Sequence, residues 1–483
     1  MYKRGFTKDH ISDSDSESDV DRDRLLQNGS WKDAGNPSWK RPLPHVVVAT
    51  LTSFLFGYHL GVVNDTLESI SLDLGFAGST LAEGLVVSIC LGGAFIGCIF
   101  SGSIADGLGR RRAFQLCALP MVVGASMSAT TSGLEGMLLG RFLVGTGMGL
   151  GPPVASLYVS EVSPVLVRGT YGSFIQIATC LGLMAALFFG IPAKMVPRWW
   201  RVCFWISAIP AALLAFLVEF TAESPHWLFK RGRTVEAEEE FERLLGASHV
   251  KSAVQELSKS DKGEEVEAVK FSELLHGRHF NVVFSGATLF ALQQLSGINA
   301  IFYFSSTVFR SAGVPSDIGN VCIGLVNTSG SVVAMILMDR LGRKLLLMWS
   351  FLGMAIALSL QVIAGSDILP GSVRMYLSII GMLLVVLTFS LGAGPVPGLL
   401  LSEILPSRIR AKAMAFCMAV HWNQKLQHCA EAIGWRRINF VIRKYCKMEN
   451  NVPCCGTDFL VARRLQSSLQ EENNAVLFVL RSG

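Results

Sequence analysis

The residues of this chain best suited to chemistry are uncharged. The run Gln293-Gln294-Leu-Ser296-Gly-Ile-Asn299-Ala-Ile-Phe302-Tyr303-Phe304 sets three side-chain amides in one apolar stretch, and Gln176 and Asn327 stand in two others. An amide both donates and accepts, which matches the dual character of a sugar hydroxyl without fixing a charge. Phe302, Tyr303 and Phe389 are the aromatics available to cover the C–H face of a pyranose. One Gln in such a stretch is explained by hydrogen bonding between helices; the clustered set points to a neutral polyhydroxylated ligand. Gly297, between the amides, permits a bend in the helix that carries them.

The charged residues form a second pattern. Asp106-Gly-Leu-Gly-Arg110-Arg111 recurs as Asp339-Arg-Leu-Gly-Arg343-Lys344, and Glu161, seven positions before Arg168, recurs as Glu403, seven positions before Arg410. Two motif pairs in the same order imply duplicated halves in the same orientation, an architecture that holds its ligand between the halves. Asp and Arg at helix ends can pair across neighbouring helices when that side is closed. Opening must break those pairs, so they act as a gate. Arg141, in Gly140-Arg141-Phe142, is assigned to the same charge network, because a cation at membrane depth is costly and faces a polar partner or a cavity.

These residues must be positioned by membrane helices. The chain is 51% hydrophobic and 16% charged, against about 25% charged for a soluble domain. The expected class is an all-α polytopic membrane protein with a lipid bilayer as its solvent. A net charge of +5 from scattered cations gives no basic stripe for nucleic acid. The eleven Cys form no CxxC pair. No metal-ligand spacing, nucleophile–base constellation or phosphate loop is present, so neither an enzyme nor a cofactor is expected. Residues 1–44 read as a disordered acidic tail. Apolar runs at about 45–64, 82–104, 113–131, 136–158, 170–192 and 199–220 make an N-terminal half of six spans. Residues 221–279 read as a helical linker. Runs at about 281–309, 318–338, 345–364 and 373–401, with a partial eleventh from Ala411 to near Trp422, make a C-terminal half over 280–422. Clusters such as Arg110-Arg111-Arg112 and Arg408-Ile-Arg410-Ala-Lys412 fall in alternate breaks, which places those breaks and the N-terminus on the cytosolic side.

With these motifs in view, the chain resembles the sugar porter family of the major facilitator superfamily. The resemblance rests on Gly140-Arg141-Phe, Tyr158-Val-Ser-Glu161, Glu223-Ser224-Pro225-His-Trp-Leu228, Gln293-Gln294-Leu-Ser-Gly-Ile-Asn299 and Asn327-Thr328. Within that family, Phe56-Gly-Tyr-His59, Gly169-Thr-Tyr-Gly-Ser-Phe-Ile-Gln176 and Gly392-Ala-Gly-Pro-Val-Pro-Gly398 look like the plastidic glucose transporter branch of plants. The resemblance covers about 37–422. It implies a monomeric carrier of a hexose, glucose foremost, working by alternating access in a plastid envelope, with another endomembrane or the plasma membrane as the other settings. It also implies that Gln176, Gln293, Gln294, Asn299 and Asn327 contact the hexose and that Trp422 is a sugar-site aromatic of span 11.

Three departures from the family pattern bear on mechanism. His59 stands at the coupling position, where proton-coupled members place an Asp and facilitative ones commonly an Asn. Ser390 and Gly398 stand where animal facilitative members have Glu and Trp. After Trp422 the remainder of span 11 and span 12 are replaced by a divergent tail, 423–483, so the expected fold is two parallel-repeat halves with about ten full spans and a truncated second half. Facilitative uniport is the leading expectation. The alternatives are proton–sugar symport, and a truncated non-transporting isoform or sugar sensor.

Overall fold

The computed structural model describes residues 37–194, 196–261, 280–298, 301–302, 305, 309, 315–364, 370–406 and 409–425. The tail before 37 and the tail after 425 lie outside the described residues. Six long helices come first: α1 Leu43–Asp73, α2 Thr80–Leu108, α3 Arg110–Thr130, α4 Leu134–Val162, α5 Arg168–Ala193 and α6 Trp199–Leu217. Three short linker helices follow, α7 Pro225–Lys230, α8 Thr234–Leu245 and α9 Ala247–Asp261. The second group is α10 Phe280–Leu295, α11 Ser316–Leu341, α12 Arg343–Ala364, α13 Gly371–Thr388, α14 Val396–Ile404 and α15 over 410–425. Among the described residues nine apolar stretches are long enough to cross a membrane, with Phe280–Leu295 as a shorter apolar helix.

The helices overrun the apolar runs at both ends. α4 spans 29 residues, where the hydrophobic run over 136–158 alone suggests fewer. A hydropathy reading stops at the first charge, whereas backbone hydrogen bonding continues to the cap. Span 7 is interrupted: α10 ends at Leu295, and Gly297 adopts φ +75° in the break, a left-handed conformation glycine takes without steric cost. The eleventh run is also longer than expected. Its helix passes Trp422 and reaches 425, and Lys425 lies buried over the rings of Phe56 and Trp422 at 5.2 and 5.5 Å. The helix thus runs three residues past Trp422 to the end of the described residues, with the Lys425 ammonium set against two aromatic faces.

Small residues set the packing within the first half. A Cβ at Gly57 would stand 1.9 Å from the carbonyl oxygen of Thr179, and one at Gly149 1.9 Å from that of Ala94. Helices α1 and α5, like α2 and α4, therefore touch backbone to backbone, which only glycine permits. Among the described residues, the seams between the halves include two long ones. Along α5 and α11, Ser173 Oγ meets Met338 Sδ at 3.8 Å, Cys180 Sγ meets Ser331 Oγ at 3.4 Å and Thr328 Oγ1 donates to Met184 Sδ at 3.2 Å. Along α2 and α15, Cys98 Sγ donates to the Ala415 carbonyl at 3.4 Å, and a Cβ at Gly102 would stand 2.7 Å from that of Ala411.

Candidate functional site

Proline chemistry builds the centre of the molecule. Between α13 and α14 the helix widens into a π-turn at Phe389–Ala393, closed by Gly394 N–H donating to the Phe389 carbonyl at 2.9 Å. Pro397 lies four residues after Ala393 and has no N–H, so the Ala393 carbonyl loses its α-helical donor. Gln293 Nε2 supplies one instead, donating to Ala393 O at 2.6 Å and to Gly394 O at 3.3 Å. Ser350 of α12 pins the turn from behind, accepting from Ala393 N–H at 2.8 Å and donating to the Thr388 carbonyl at 2.6 Å. π-turns of this kind occur frequently at functional sites.

Two of the amides, Gln176 and Gln293, meet at this turn. Gln176, on α5 of the first half, donates to Cys180 Sγ at 3.6 Å, and its Nε2 lies 3.3 Å from where a Cβ on Gly394 would stand. Gln293, from the second half, reaches the same backbone. Gln294 Nε2 donates to His421 Nδ1 at 2.8 Å. His421 packs edge-on to Phe290 and Trp422, both at 5.5 Å, and Trp422 is edge-on to Phe56 of α1 at 5.4 Å. The backbone carbonyl of Asn327 accepts from Ser331 Oγ at 2.9 Å. Three buried polar atoms in this region have no hydrogen-bond partner among the described residues: Gln293 Oε1, Asn327 Oδ1 and Trp422 Nε1. They comprise two acceptors and one donor, and burying each without a partner is costly.

Of the aromatics, Phe302 and Phe389 share one apolar cluster with Ile298 and Ile323. Asn299 and Tyr303 lie outside the described residues. A Cβ at Gly398, one of the expected departures, would meet nothing within 4 Å. Ser390, the other departure, is buried, and its Oγ lies 2.1 Å from where a Cβ on Gly330 would stand. No residue larger than glycine fits at 330 without moving Ser390.

The charged residues sort into two groups. Arg110 forms a bidentate pair with Glu161, Nε to Oε2 and Nη2 to Oε1 both at 2.8 Å, and Asp106 stands 3.6 Å from its Nη1. Arg343 pairs with Glu403 in the same way at 3.2 and 3.0 Å. The side chain of Asp339 lies outside the described residues. Arg410 donates from Nε to the Leu405 carbonyl at 3.0 Å, and Arg168 Nε has no partner among the described residues.

Arg141 does not join this group. It lies twenty residues before Glu161 on the same helix, about 30 Å along the axis. It is buried with its guanidinium 6.0 Å from the Phe204 ring, and Nε and Nη1 have no hydrogen-bond partner among the described residues. Its expected place in the charge network is corrected: it is a lone buried cation near the opposite face. His59 is fully buried in the same layer, edge-on to Tyr58 at 6.1 Å, and neither ring nitrogen has a described partner.

Four contributors were not singled out from sequence: His421, Ser350, Cys180 and the Ala393–Gly394 carbonyls. Pro397 is the signal that could have found the Ala393 carbonyl, since a proline removes the donor four residues back. His421 carries no local signal beyond adjacency to Trp422.

Comparison with known proteins settles the family. The sequence profile described as "Sugar (and other) transporter" matches residues 45–426. The chain belongs to this sugar transporter family. The "Probable plastidic glucose transporter 2" of Arabidopsis thaliana is 68% identical over 426 residues, which cover 87% of this chain and 86% of the relative. Among solved structures, the major facilitator proton:xylose symporter XylE bound to 6-bromo-6-deoxy-D-glucose superposes with a TM-score of 0.77 at 26% identity, covering 89% of this chain and 95% of that one. The partially occluded inward-open conformation of XylE from E. coli, at 89% and 97% coverage and 26% identity, scores 0.68. The sugar transporter described here is thus a multi-pass membrane protein of major facilitator fold, nearer in shape to the sugar-analogue complex than to the inward-open form.

Proposed function

We propose that this sugar transporter carries a hexose, glucose foremost, by alternating access and without proton coupling, across a plastid envelope. The observation that carries the reading is the trio of unpartnered buried atoms, Gln293 Oε1, Asn327 Oδ1 and Trp422 Nε1, on three separate helices of the second half. Hydroxyls of one hexose can donate to the two carbonyl oxygens and accept from the indole N–H. Trp422 offers an aromatic face beside them. Gln176 adds an amide from the first half, so a bound sugar would touch both halves. The substrate and the plastid setting are those printed for the Arabidopsis relative. On this reading Asn299 and Tyr303 complete the site.

The buried layer around Arg141 supports the reading without coupling. A coupled carrier needs a group whose proton exchanges with a nearby cation. His59 is neutral or like-charged toward Arg141, so its protonation is opposed rather than exchanged. Proton symport is the second reading, favoured by the proton:xylose symporter among the superposable structures and by the two unpartnered nitrogens of His59. Labelled glucose in proteoliposomes tests both. Gln293→Leu is expected to weaken binding by about 1–3 kcal/mol, tenfold to over a hundredfold. Unchanged affinity in Gln293→Leu and Gln294→Leu alike removes the site assignment. Accumulation against a gradient, driven by imposed pH and abolished by a protonophore, replaces uniport with symport.

A further inference from the structure

At the face opposite the Arg110 and Arg343 clusters, one ammonium serves two carboxylates that belong to different halves. Lys194, at the C-terminal end of α5, places Nζ 2.9 Å from Asp317 Oδ1 at the start of α11. The same Nζ lies 4.0 Å from Asp65 Oδ2 on α1 and 5.9 Å over the Trp199 ring. The pair with Asp317 crosses between halves; the pair with Asp65 stays within the first. Asp65 Oδ2 is buried and lacks a hydrogen-bond partner among the described residues. Trp199 is itself held by Nε1 donating to Ser69 Oγ at 3.0 Å, so the aromatic floor under Lys194 belongs to the first half too.

We propose that Lys194 is a positioning residue of the transport cycle, a latch that is handed between Asp317 and Asp65 as this face closes and opens. The inference rests on the alternating-access reading above. With the face closed, the ammonium bridges the halves and Asp65 stays about one ångström beyond bonding distance. Separating α5 from α11 at this end removes Asp317 from reach. The ammonium then moves onto Asp65 Oδ2, which gains the partner it lacks. The closed state therefore gains the inter-half pair, and the open state gains a pair inside the first half. Neither state leaves the cation alone, so the exchange lowers the cost of opening while keeping closure favourable. By contrast, the Arg110–Glu161 and Arg343–Glu403 pairs each lie within one half.

The test reads distances across this face in the full chain reconstituted in liposomes. Bioorthogonal spin labels at Val196 and Ile318, both exposed, avoid the native cysteines. Lys194→Ala and Asp317→Ala are expected to raise the separated population about two- to fivefold, the factor an ion pair of this exposure supplies. Asp65→Asn is expected to lower it, because the open state loses its acceptor. Lys194→Asp in the Asp65→Asn background is expected to raise the separated population, and adding Asp317→Lys is expected to bring it back down. A purely structural role would give no such opposite signs. High salt should shrink the difference between the unmodified chain and Lys194→Ala. Two populations that are identical in every variant overturn the latch and leave alternating access standing. A single population in all conditions, with and without glucose, overturns both.

Discussion

Arg110–Glu161 in the first half and Arg343–Glu403 in the second are copies of one device placed in different surroundings. In each, the arginine reaches back five residues to a carbonyl, Arg110 Nη1 to Ala105 O at 2.9 Å and Arg343 Nη1 to Met338 O at 3.4 Å. In each, the turn before the arginine needs a glycine at positive φ, Gly109 at +91° and Gly342 at +79°. The settings then diverge. Arg110 and Glu161 are each 5% exposed, whereas Arg343 and Glu403 are 22% and 23% exposed. The first pair is covered by the linker. Glu223 accepts from the backbone N–H of Arg110 at 2.9 Å and of Arg111 at 3.2 Å, so its carboxylate caps the start of α3. Trp227 Nε1 and Arg231 Nη2 donate to the Asp106 carbonyl at 2.9 and 2.7 Å, closing the end of α2. Duplication preserves the local turn, but what is folded over it decides how buried the charge becomes.

The contrast is sharpest in the carboxylates. Glu161→Gln removes the bidentate counter-charge of a buried guanidinium, leaving it Asp106 at 3.6 Å, and is expected to destabilise the protein by about 3 kcal/mol. Glu403→Gln, at a part-exposed pair, is expected to cost about 1 kcal/mol. Denaturant unfolding of the two variants in the same detergent measures both, and equal losses would break the comparison.

Acid should attack the first half through the linker. Burial holds the His226 imidazole down to about 4, opposed by Glu161 and reinforced by Arg168, Arg410 and Arg110. The native state therefore keeps His226 neutral while the unfolded chain takes up a proton near pH 6.5. That stability is fully present above about pH 6.5 and is lost as pH falls toward 4, by about 3 kcal/mol. His226→Gln should flatten this part of the pH–stability curve; an unchanged slope would assign the acid sensitivity elsewhere.

The smallest effect is expected at the cap. Burial raises the Glu223 carboxyl, against the backbone N–H groups of Ser224, Arg110 and Arg111 that favour its charge. Glu223→Gln retains an acceptor and removes a charge that burial disfavours, so the loss should stay within about 1 kcal/mol. A loss as large as that of Glu161→Gln would mean that the cap, rather than the bidentate pair, anchors the first half.

Much of this was legible in the chain. The spans, the linker and the paired Arg–Glu motifs follow from hydropathy and repetition, because lipid forces the backbone into helices and duplicated residues fold into the same turn. The amides Gln293 and Gln294 stood out for their type. Where each amide points was not legible. Gln293 turns to a carbonyl freed by Pro397, and Gln294 turns to His421, more than a hundred residues away in sequence. Arg141 was misassigned for a related reason: a charge pattern read along the chain does not show that 30 Å of helix separates it from Glu161. That Lys425 lies over the Phe56 and Trp422 rings was likewise not legible, because Phe56 is more than three hundred residues away in sequence.

By itself, the sequence determined that the chain crosses a bilayer many times, that it contains a duplicated Arg–Glu motif, and that its central polar groups are neutral. Those properties depend on composition and short-range spacing, which solvent and helix geometry convert directly into structure. Tertiary structure alone decided which amide oxygens remain unpartnered, which of two copied ion pairs is buried, and that Lys194 stands between Asp317 and Asp65. Each of these depends on groups distant in sequence meeting within 3–4 Å, and no local pattern encodes that distance.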